Sequence, residues 1–265
     1  MGKIVAIYAL VMAGVFLIMF ACSPVYAASL ETSANATYKL YQDERGICSI
    51  QHIKNIDEGA LMLTASHCVH DAAKTVKFNL RLDNQGASVG PKDEQSLEVR
   101  DERVFYLRVL RDDPKTDVAL LVTKTKTAGA ELGDPIDLAT VDEANSVKFG
   151  DDLIVLGFPA AEQKTITKGQ FTGKVNGVLD TQYNYQTNIP IAGGNSGGGL
   201  YANFPGKDGV ANWKLIGTTF AKRNDNEIMS YFSVAEAIKE ITAGYMKPGE
   251  TPTPVAPKAS AIDER

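Results

Sequence analysis

The chain has 265 residues, enough for one large domain or two small ones with real hydrophobic cores. Hydrophobic residues make up 44% and charged residues 22%, the ordinary mixture of a globular protein. The formal net charge is -5 and no basic run interrupts the sequence, which argues against a nucleic-acid-binding protein.

The N-terminal residues have the features of an export signal. Lys3 is followed by the apolar run "IVAIYALVMAGVFLIMFAC" and the small-residue stretch "SPVYAAS", the pattern of a secretory signal peptide cleaved after Ala27. Two alternatives stay open: the run is long enough to remain as a membrane anchor, and Cys22 lies in a loosely lipobox-like context, "MFAC". Each alternative places the folded part outside the cytoplasm, secreted or periplasmic. Membrane contact is expected only if the leader is retained or lipidated.

The chain has three cysteines, Cys22, Cys48 and Cys68. Removal of the leader, residues 1–27, leaves an even number, which in an oxidising compartment suggests a Cys48–Cys68 disulfide. Closing this loop would stabilise the fold by about 3 kcal/mol in the chain-entropy description of disulfides. Two buried free thiols are the alternative.

After the leader, short runs rich in Val, Ile, Leu, Tyr and Phe alternate with turns rich in Gly, Asp, Asn and Lys, the pattern of β-strands. The runs form two series, about 36–128 and about 146–233, joined by a connection over 127–145 that lacks a strong period. Two small β-barrels packed together are the predicted all-β fold, with a single β-sandwich as the alternative.

The C-terminal part of the chain changes period. Apolar residues at helical spacing in "VAEAIKEITAGYM" predict a helix over about 233–246. The Pro-rich tail, 248–265, is predicted to be disordered. The folded domain is therefore expected to span 28–247.

The stretch "IAGGNSGGGL" places Ser196 among five glycines. Glycine permits unusual backbone angles and close backbone approach, which suits a nucleophile whose neighbouring N–H groups stabilise an oxyanion; a flexible surface loop is the alternative. A serine nucleophile needs a base, usually histidine, and all three histidines (His52, His67 and His70) precede Ser196. This order excludes the α/β-hydrolases, whose G-x-S-x-G motif matches here by letter but whose histidine follows the serine.

The order His, Asp, Ser is that of chymotrypsin-like proteases, and three local motifs agree with it. "TASHC" around His67 resembles the family's "TAAHC", "KTDVALLV" around Asp117 resembles "DIALL", and "GGNSGGGL" around Ser196 is similar to "GDSGGPL". The chain thus resembles the chymotrypsin/trypsin-like serine proteases, which implies two packed six-stranded antiparallel β-barrels with a C-terminal helix. It also implies that Cys68 is bridged to a preceding strand, where Cys48 is placed.

The resemblance gives roles to four residues. His67 would act as the general base, Asp117 would orient its imidazole, and Ser196 would be the nucleophile. The backbone N–H groups of Gly194 and Ser196 would form the oxyanion hole. No metal ion or organic cofactor is implied, because His67 and its neighbours lack the spacing and extra ligands of a zinc site.

The other histidines and a nearby acidic pair are given lesser roles. His52 and His70 lack the setting of His67 and are expected to be surface or packing residues. Asp112 and Asp113 lie in "RDDPK", a turn-like and solvated stretch. They are less favoured than Asp117 as the acid.

Two residues depart from the family pattern. Asn195 stands where digestive proteases have an aspartate that pairs with a new N-terminus, so activation of the trypsinogen kind is not expected. Asparagine is usual in bacterial HtrA-type and glutamyl-endopeptidase-type members, the branch that the chain resembles. Gly199 replaces the common proline, without a functional explanation from the sequence. The chain also ends too soon for the PDZ domain that HtrA proteins carry after the protease, so a member without that domain is expected.

The same resemblance implies which residues line the substrate pocket: Pro190, Ile191, Ala192, Thr219, Phe220 and Ala221. The strand that contains Thr219, Phe220 and Ala221 could pair with the substrate backbone. No carboxylate lies near Pro190, which disfavours cleavage after basic residues. No histidine lies near Thr219, which disfavours cleavage after glutamate. Small or apolar residues before the scissile bond are expected, and attraction of acidic side chains by Lys222 and Arg223 is the alternative.

The predicted function is an exported serine endopeptidase that acts on protein or peptide substrates. A catalytically inactive, secreted binding protein with the same fold is the alternative, and the presence of all three catalytic residue types favours the enzyme. An esterase on this fold would differ only in the leaving group.

Overall fold

The computed structural model of the protein describes residues 30–70, 77–81, 104–176, 178–179, 183–206, 209–223 and 226–246. The predicted leader and the predicted disordered tail lie outside these residues. Among the described helices, none has both the length and the apolar character that a bilayer crossing requires.

The first series of strands forms a closed barrel of six strands, all of whose neighbours are antiparallel. Around the barrel the order is β1-β2-β3-β6-β5-β4. Its strands are β1 (Thr37–Gln42), β2 (Arg45–Ile56), β3 (Gly59–Thr64), β4 (Phe78–Arg81), β5 (Val104–Asp113) and β6 (Val118–Thr123).

The second series forms another closed six-stranded antiparallel barrel, with the order β10-β11-β12-β9-β8-β7. Its strands are β7 (Asp152–Gly157), β8 (Thr165–Val175), β9 (Asn184–Thr187), β10 (Gly199–Asn203), β11 (Trp213–Arg223) and β12 (Asn226–Phe232). The predicted fold of two six-stranded barrels is confirmed, and the β-sandwich is excluded.

The barrels pack together through strands that are buried on both faces. β3 and β6 are buried along their whole length, and side chains alternate between the two faces of a strand. Met62 and Leu121 belong to the core of the first barrel, whereas Leu61, Leu63 and Leu120 belong to a core that includes residues of the second. Fully burying one such side chain stabilises the fold by roughly 1.5–3 kcal/mol. The continuous apolar runs of these strands therefore place them at the seam between the barrels.

The connection between the barrels contains two short helices, α1 (Ala128–Leu132) and α2 (Val141–Asn145). Helix α2 begins with a capping box, in which the Thr140 side chain accepts a hydrogen bond from the Glu143 N–H while the Glu143 side chain accepts one from the Thr140 N–H. The helices are too short to give a periodic pattern, which is why the sequence indicated only an irregular connection.

The C-terminal helix α3 runs from Ala235 to Ile241, shorter than the predicted range of 233–246. Ile238 and Ile241, on its apolar face, are buried in the core shared by the two barrels. After the helix, residues 242–246 of the predicted range form turns and an isolated bridge between Ala243 and Met246.

Candidate active site

His67 lies in a single 3-10 turn, Ser66–Cys68, that follows strand β3. Its side chain is about half exposed, at 47%. The turn is tied to strand β2 by the Cys48–Cys68 disulfide, whose Cα atoms are 6.3 Å apart. The two sulfurs and a ring nitrogen of His67 lie within 4.8 Å of one another, so the bridge packs directly beside the imidazole. The predicted disulfide is confirmed.

Asp117 meets His67 because β3 and β6 are antiparallel neighbours. Thr64, at the end of β3, pairs with Ala119, near the start of β6, so the residue before β6 lies beside the turn after β3. Asp117 Oδ2 is 2.7 Å from His67 Nδ1, and Oδ1 accepts a hydrogen bond from the His67 backbone N–H at 2.8 Å. Asp117 is buried, with 6% of its surface exposed.

These contacts fix the state of the His67 ring. A carboxylate only accepts hydrogen bonds, so Nδ1 carries the hydrogen and Nε2 of the neutral ring is left as an acceptor. Asp117 makes both contacts from a left-handed backbone with φ of 52°, a conformation that aspartate tolerates better than most residues. Nε2 can therefore receive a proton from the side of the ring that faces away from Asp117.

Ser196 lies in the glycine-rich turn before strand β10, and two of its glycines are required by close contacts. A Cβ on Gly194, whose φ is 90°, would lie 2.3 Å from the Phe158 carbonyl oxygen. A Cβ on Gly197, whose φ is 77°, would lie 2.2 Å from the Thr64 Oγ1. Both positions combine a positive φ with main-chain or side-chain atoms where a Cβ would stand. The turn is thus closely packed at Gly194 and Gly197, which disfavours its interpretation as a flexible surface loop.

The turns of His67 and Ser196 meet at the seam between the barrels. A Cβ on Gly197 would lie 2.9 Å from the backbone nitrogen of Ala65, two residues before His67. The Ser196 carbonyl accepts a hydrogen bond from the Ser49 N–H at 2.7 Å. Among the described residues, no hydrogen bond joins the Ser196 hydroxyl to the His67 ring.

Two backbone N–H groups in the turn are left without partners. Within the described part of the chain, neither the Gly194 N–H nor the Ser196 N–H donates a hydrogen bond. The neighbouring Asn195 N–H, by contrast, donates to Ala192 at 3.1 Å, and the Gly197 N–H donates to Thr219 at 2.8 Å. Unpaired N–H groups cost free energy when they are shielded from water. Both N–H groups are therefore available as donors to a group bound next to Ser196.

The predicted pocket residues lie on two segments next to this turn. Thr219 makes two hydrogen bonds of 2.8 Å with the turn. Its carbonyl accepts from the Gly197 N–H, and its N–H donates to the Gly198 carbonyl. A β-bulge between Thr219 and Ala221 contains Phe220, which stacks on Tyr231 of β12 with ring centroids 6.4 Å apart.

The second segment, 190–192, follows Ile189, whose carbonyl accepts a hydrogen bond from Ser230 Oγ at 2.5 Å. Since Ser230 pairs with β11, this contact anchors the segment to the strand next to Thr219. Pro190 and Ala192 are exposed and Ile191 is half-buried. The side chains of Lys222 and Arg223 are outside the described part of the structure.

Asn195 and Gly199, the departures from the family pattern, have different surroundings. Asn195 is buried, and its Oδ1 has no hydrogen-bond partner among the described residues. Gly199 begins β10, where a Cβ would lie 2.5 Å from Tyr201 Cε2 and 2.6 Å from Leu215 Cδ1. Any side chain at this position would require these two side chains to shift.

Two lysine ammonium groups lie near the ring of Phe158, a residue of the loop that contacts Gly194. Lys39 Nζ is 5.5 Å and Lys164 Nζ 5.7 Å from the centroid of the Phe158 ring. Burial lowers the pKa of Lys164 to about 8. Burial also lowers the pKa of Lys39, with Glu162 acting in the opposite direction.

The two other histidines differ from each other. His52 is completely buried, its Nε2 lies 2.9 Å from Asn55 Oδ1, and burial lowers its pKa to about 4. His70 is exposed, and its Nδ1 lies 2.5 Å from Asp112 Oδ2. His52 is therefore a packing residue and His70 a surface residue, within the range expected from the sequence.

Asp112 has a structural role that the sequence did not indicate. Asp112 and Asp113 lie at the end of strand β5, where a turn-like stretch was expected. Besides its contact with His70, Asp112 accepts a hydrogen bond from Ser66 Oγ at 2.5 Å. The Asp112 carboxylate thus contacts both Ser66, the residue before His67, and His70, three positions after it. No motif marks such a residue, because its partners become neighbours only when β5 pairs with β6.

Comparisons with known proteins agree with this fold. Residues 48–205 match the trypsin-like peptidase domain family. The chain is 27% identical over 115 residues to a probable periplasmic serine endoprotease, DegP-like, of Pseudomonas putida, covering 43% of this chain and 22% of that protein. It is 25% identical over 205 residues to the putative protease Do-like 14 of Arabidopsis thaliana, covering 75% of this chain and 42% of that protein. The chain therefore spans less than half the length of these curated relatives.

Among solved structures, the HtrA-type protease AlgW with a tripeptide has a TM-score of 0.59 and 21% identity, covering 85% of this chain and 64% of that one. At this identity the likeness concerns the fold. The sequence match to the family is the stronger finding, since it covers more than half of the chain and includes His67, Asp117 and Ser196. The chain belongs to the trypsin-like peptidase domain family.

Proposed function

We propose that the chain is an exported serine endopeptidase with Ser196 as nucleophile, His67 as general base and Asp117 as the residue that orients the base. The observation that carries this proposal is the 2.7 Å contact between His67 Nδ1 and Asp117 Oδ2. It leaves Nε2 free to accept a proton at the seam where the Ser196 turn meets the His67 turn. Each step of peptide hydrolysis then has a group to perform it.

In the first half of the reaction, Ser196 Oγ attacks the carbonyl carbon of the scissile peptide while His67 Nε2 takes the hydroxyl proton. The carbonyl electrons move to the oxygen, and this oxyanion accepts hydrogen bonds from the Gly194 and Ser196 N–H groups. One such donor contributes a factor of about 10²–10³ to the turnover rate in enzymes of this type. As the C–N bond breaks, the imidazolium gives its proton to the leaving amine, and an acyl-enzyme remains.

In the second half, a water molecule replaces the amine. His67 Nε2 removes one proton from the water as its oxygen attacks the acyl carbonyl, and the same N–H groups stabilise the second oxyanion. Collapse of this intermediate breaks the bond to Ser196 Oγ, which regains a proton from His67. Asp117 keeps its charge throughout and stabilises the imidazolium. The enzyme is thus returned to its starting state.

For specificity, we propose that residues 190–192 and 219–221 line the pocket for the side chain that precedes the scissile bond. The apolar character of Ile191, Phe220 and Ala221 and the absence of a carboxylate in these two segments favour small or apolar side chains. Strand β11 near Ala221 would pair with the substrate backbone, which would be added as a strand. Peptide libraries read out by mass spectrometry would test this preference.

Export is supported by the Cys48–Cys68 disulfide, because such bonds persist in oxidising compartments. The DegP-like relatives are described as periplasmic. We propose a signal peptide over 1–27, a protease domain over 28–247 and a disordered tail over 248–265. Cell fractionation with N-terminal sequencing of the mature protein tests the location and the cleavage site.

A second candidate is an inactive, secreted binding protein with the same fold. It is favoured by the absence, among the described residues, of a hydrogen bond between Ser196 and His67. Catalytic hydrogen bonds often tighten only when substrate is bound, so the two candidates require a chemical test.

The test is labelling of the purified mature protein with a fluorophosphonate, beside Ser196→Ala and His67→Ala, with peptide mapping of the adduct and a casein-cleavage assay. The endopeptidase is supported if the unsubstituted protein is labelled at Ser196 and cleaves casein, and neither variant is labelled. A folded protein that neither labels nor cleaves overturns it in favour of the binding protein.

A further inference from the structure

Ser49 connects the first barrel to both segments of the second barrel that meet at Gly194. It lies in strand β2 and is completely buried. Its N–H donates to the Ser196 carbonyl at 2.7 Å. Its Oγ donates to the Gly194 carbonyl at 2.8 Å and accepts from the Phe158 N–H at 2.9 Å. The hydroxyl therefore donates to the Gly194 turn and accepts from the loop that begins at Phe158.

The backbone around Gly194 would be free to reorient without such contacts. Glycine lacks the Cβ that restricts φ in other residues, so rotation about Gly194 would turn its N–H away from the reacting carbonyl. The peptide groups on both sides of Gly194 are instead held by their oxygens: the Gly193 carbonyl accepts from the Ala160 N–H at 2.5 Å, and the Gly194 carbonyl accepts from Ser49.

Fixing a carbonyl also fixes the next N–H. A peptide group is planar and trans, so the N–H points opposite to the carbonyl of the same group. The bond from Ala160 to the Gly193 carbonyl thereby sets the direction of the Gly194 N–H. The bond from Ser49 sets the next peptide group, whose Asn195 N–H donates to Ala192 at 3.1 Å. Together they define both backbone torsions of Gly194.

The space around the hydroxyl leaves little freedom for an alternative arrangement. A Cβ placed on Gly157 would lie 3.1 Å from Ser49 Oγ. The Ser49 carbonyl is also held, because it accepts a hydrogen bond from Thr64 Oγ1 at 2.7 Å. Ser49 thus has a fixed position from which its hydroxyl can hold Gly194.

We infer that Ser49 is a positioning residue for the oxyanion hole: its hydroxyl fixes the Gly194–Asn195 peptide group and, together with the Ala160 bond to the Gly193 carbonyl, holds Gly194 at the torsions that leave its N–H available to the oxyanion. The inference rests on the proposed serine endopeptidase function. Ser49 itself touches neither the substrate nor the reacting atoms. Its effect should therefore appear in transition-state binding and not in the binding of the rest of the peptide.

The test compares Ser49→Ala with the unsubstituted protein. The change removes one oxygen atom and leaves the backbone hydrogen bonds of residue 49 in place, so the fold is expected to persist. We expect kcat to fall by about 10- to 100-fold with KM nearly unchanged, less than or comparable to the loss of a complete oxyanion donor.

Two inhibitors separate positioning from general loosening. A peptide aldehyde, with a sequence taken from a mapped casein cleavage site, forms a hemiacetal with Ser196 Oγ whose oxygen enters the hole. The same peptide ending in a primary alcohol has no carbonyl to place there. We expect Ser49→Ala to weaken aldehyde binding by the same factor as kcat/KM and to leave alcohol binding unchanged.

Thr242→Ala is the matched control, since it also removes a buried hydroxyl that donates to a carbonyl, that of Ile238 at 2.7 Å, at the end of helix α3. It should change neither kcat nor aldehyde binding. An unaltered Ser49→Ala enzyme, an equal loss of aldehyde and alcohol binding, or an equal loss in Thr242→Ala overturns the inference. A folded unsubstituted protein that neither labels nor cleaves overturns the proposed function itself, and the inference with it.

Discussion

The turn that carries His67 and the turn that carries Ser196 are held in place by different means. His67 is held by side chains: Asp117 contacts both its ring and its backbone N–H, and the Cys48–Cys68 bridge lies beside it. The Ser196 turn is held mainly by backbone groups and by the absence of side chains at Gly194 and Gly197.

This difference follows from what each turn has to supply. A base must present one ring nitrogen in a defined tautomer, and a neighbouring carboxylate achieves that through the other ring nitrogen. An oxyanion hole must present backbone N–H groups, so its geometry depends on backbone torsions and on how closely other atoms approach. The geometry of the His67 turn should therefore be most sensitive to loss of the Asp117 charge. The geometry of the Ser196 turn should be most sensitive to side-chain atoms added at its glycines.

The largest effect is expected from Asp117→Asn. Asparagine has nearly the same shape and tolerates the left-handed backbone found here, but its amide group can present a donor to His67 Nδ1 and so favour the wrong tautomer. The corresponding substitution in a well-studied triad lowers kcat by about 10⁴-fold, and we expect a loss of this order. Steady-state kinetics on a peptide substrate, with circular dichroism to verify folding, is the measurement. A loss below tenfold would show that Asp117 does not set the tautomer.

The next largest effect is expected from Gly194→Ala. The added Cβ would lie 2.3 Å from the Phe158 carbonyl oxygen, so the turn has to shift and the Gly194 N–H moves from its place. We expect kcat to fall by about 10²–10³-fold, the typical effect of losing one oxyanion donor.

Gly150→Ala is the matched control for this substitution. Gly150 has a φ of 88°, close to the 90° of Gly194, but nothing lies within 4 Å of its added Cβ. Both substitutions place a side chain on a backbone with nearly the same positive φ, and only Gly194→Ala adds the clash. Equal kinetic losses in the two variants would mean that strain, and not displacement of the turn, is responsible.

The two turns also differ in how far the sequence predicted them. His67, Asp117 and Ser196 could be located by the order of residue types and by short motifs, because the chemistry of a base, an acid and a nucleophile restricts which residues are suitable. The barrels could be predicted because strands buried on both faces, such as β3 and β6, are continuous apolar runs.

The supporting residues could not be found in the same way. Ser49 looks like any serine in a strand, and its importance comes from Gly194 and Phe158, more than 100 positions away in the chain. Asp112 looked like a turn residue because "RDDPK" is polar, yet pairing with β6 extends β5 through it. Such contacts depend on strand pairing between distant segments, which no local pattern contains.

A third prediction separates the stability of the fold from the function of the His67 turn. His52 is buried and its pKa is lowered to about 4 in the folded protein, against about 6.5 for an exposed histidine. Since the neutral form is the one that fits the fold, its contribution to stability is complete above pH 6.5 and is lost as the pH falls towards 4. We expect the free energy of unfolding to fall by about 2 kcal/mol between pH 7 and pH 5 through this residue.

His52→Gln should flatten this part of the stability curve, as measured by urea unfolding at several pH values. Activity measured over the same pH range in both proteins would separate loss of the fold from loss of catalysis. An unchanged slope in His52→Gln would mean that other groups govern acid unfolding.

The smallest effect is expected from Asp112→Asn, which tests whether the His67 turn has a second side-chain support. Ser66 Oγ and His70 Nδ1 contact different oxygens of Asp112. Asparagine has an NH2 group in place of one of these oxygens, so in the same orientation it accepts from only one of the two partners. The loss of one bond loosens the turn, although Asp117 still contacts His67 directly. We expect kcat to fall by a factor of roughly 3 to 10, the effect of one hydrogen bond of ordinary net strength.

Asp113→Asn makes the same chemical change at the next position and is the control for Asp112→Asn. Asp113 accepts hydrogen bonds from the Lys115 N–H and from Thr116 Oγ1, and none from the turn that carries His67. Its substitution should therefore leave kcat unchanged. If both variants lose activity equally, the removed negative charge is the common cause. If only Asp112→Asn does, the bonds to Ser66 and His70 are responsible, and the His67 turn is held by two carboxylates where the Ser196 turn is held by its backbone.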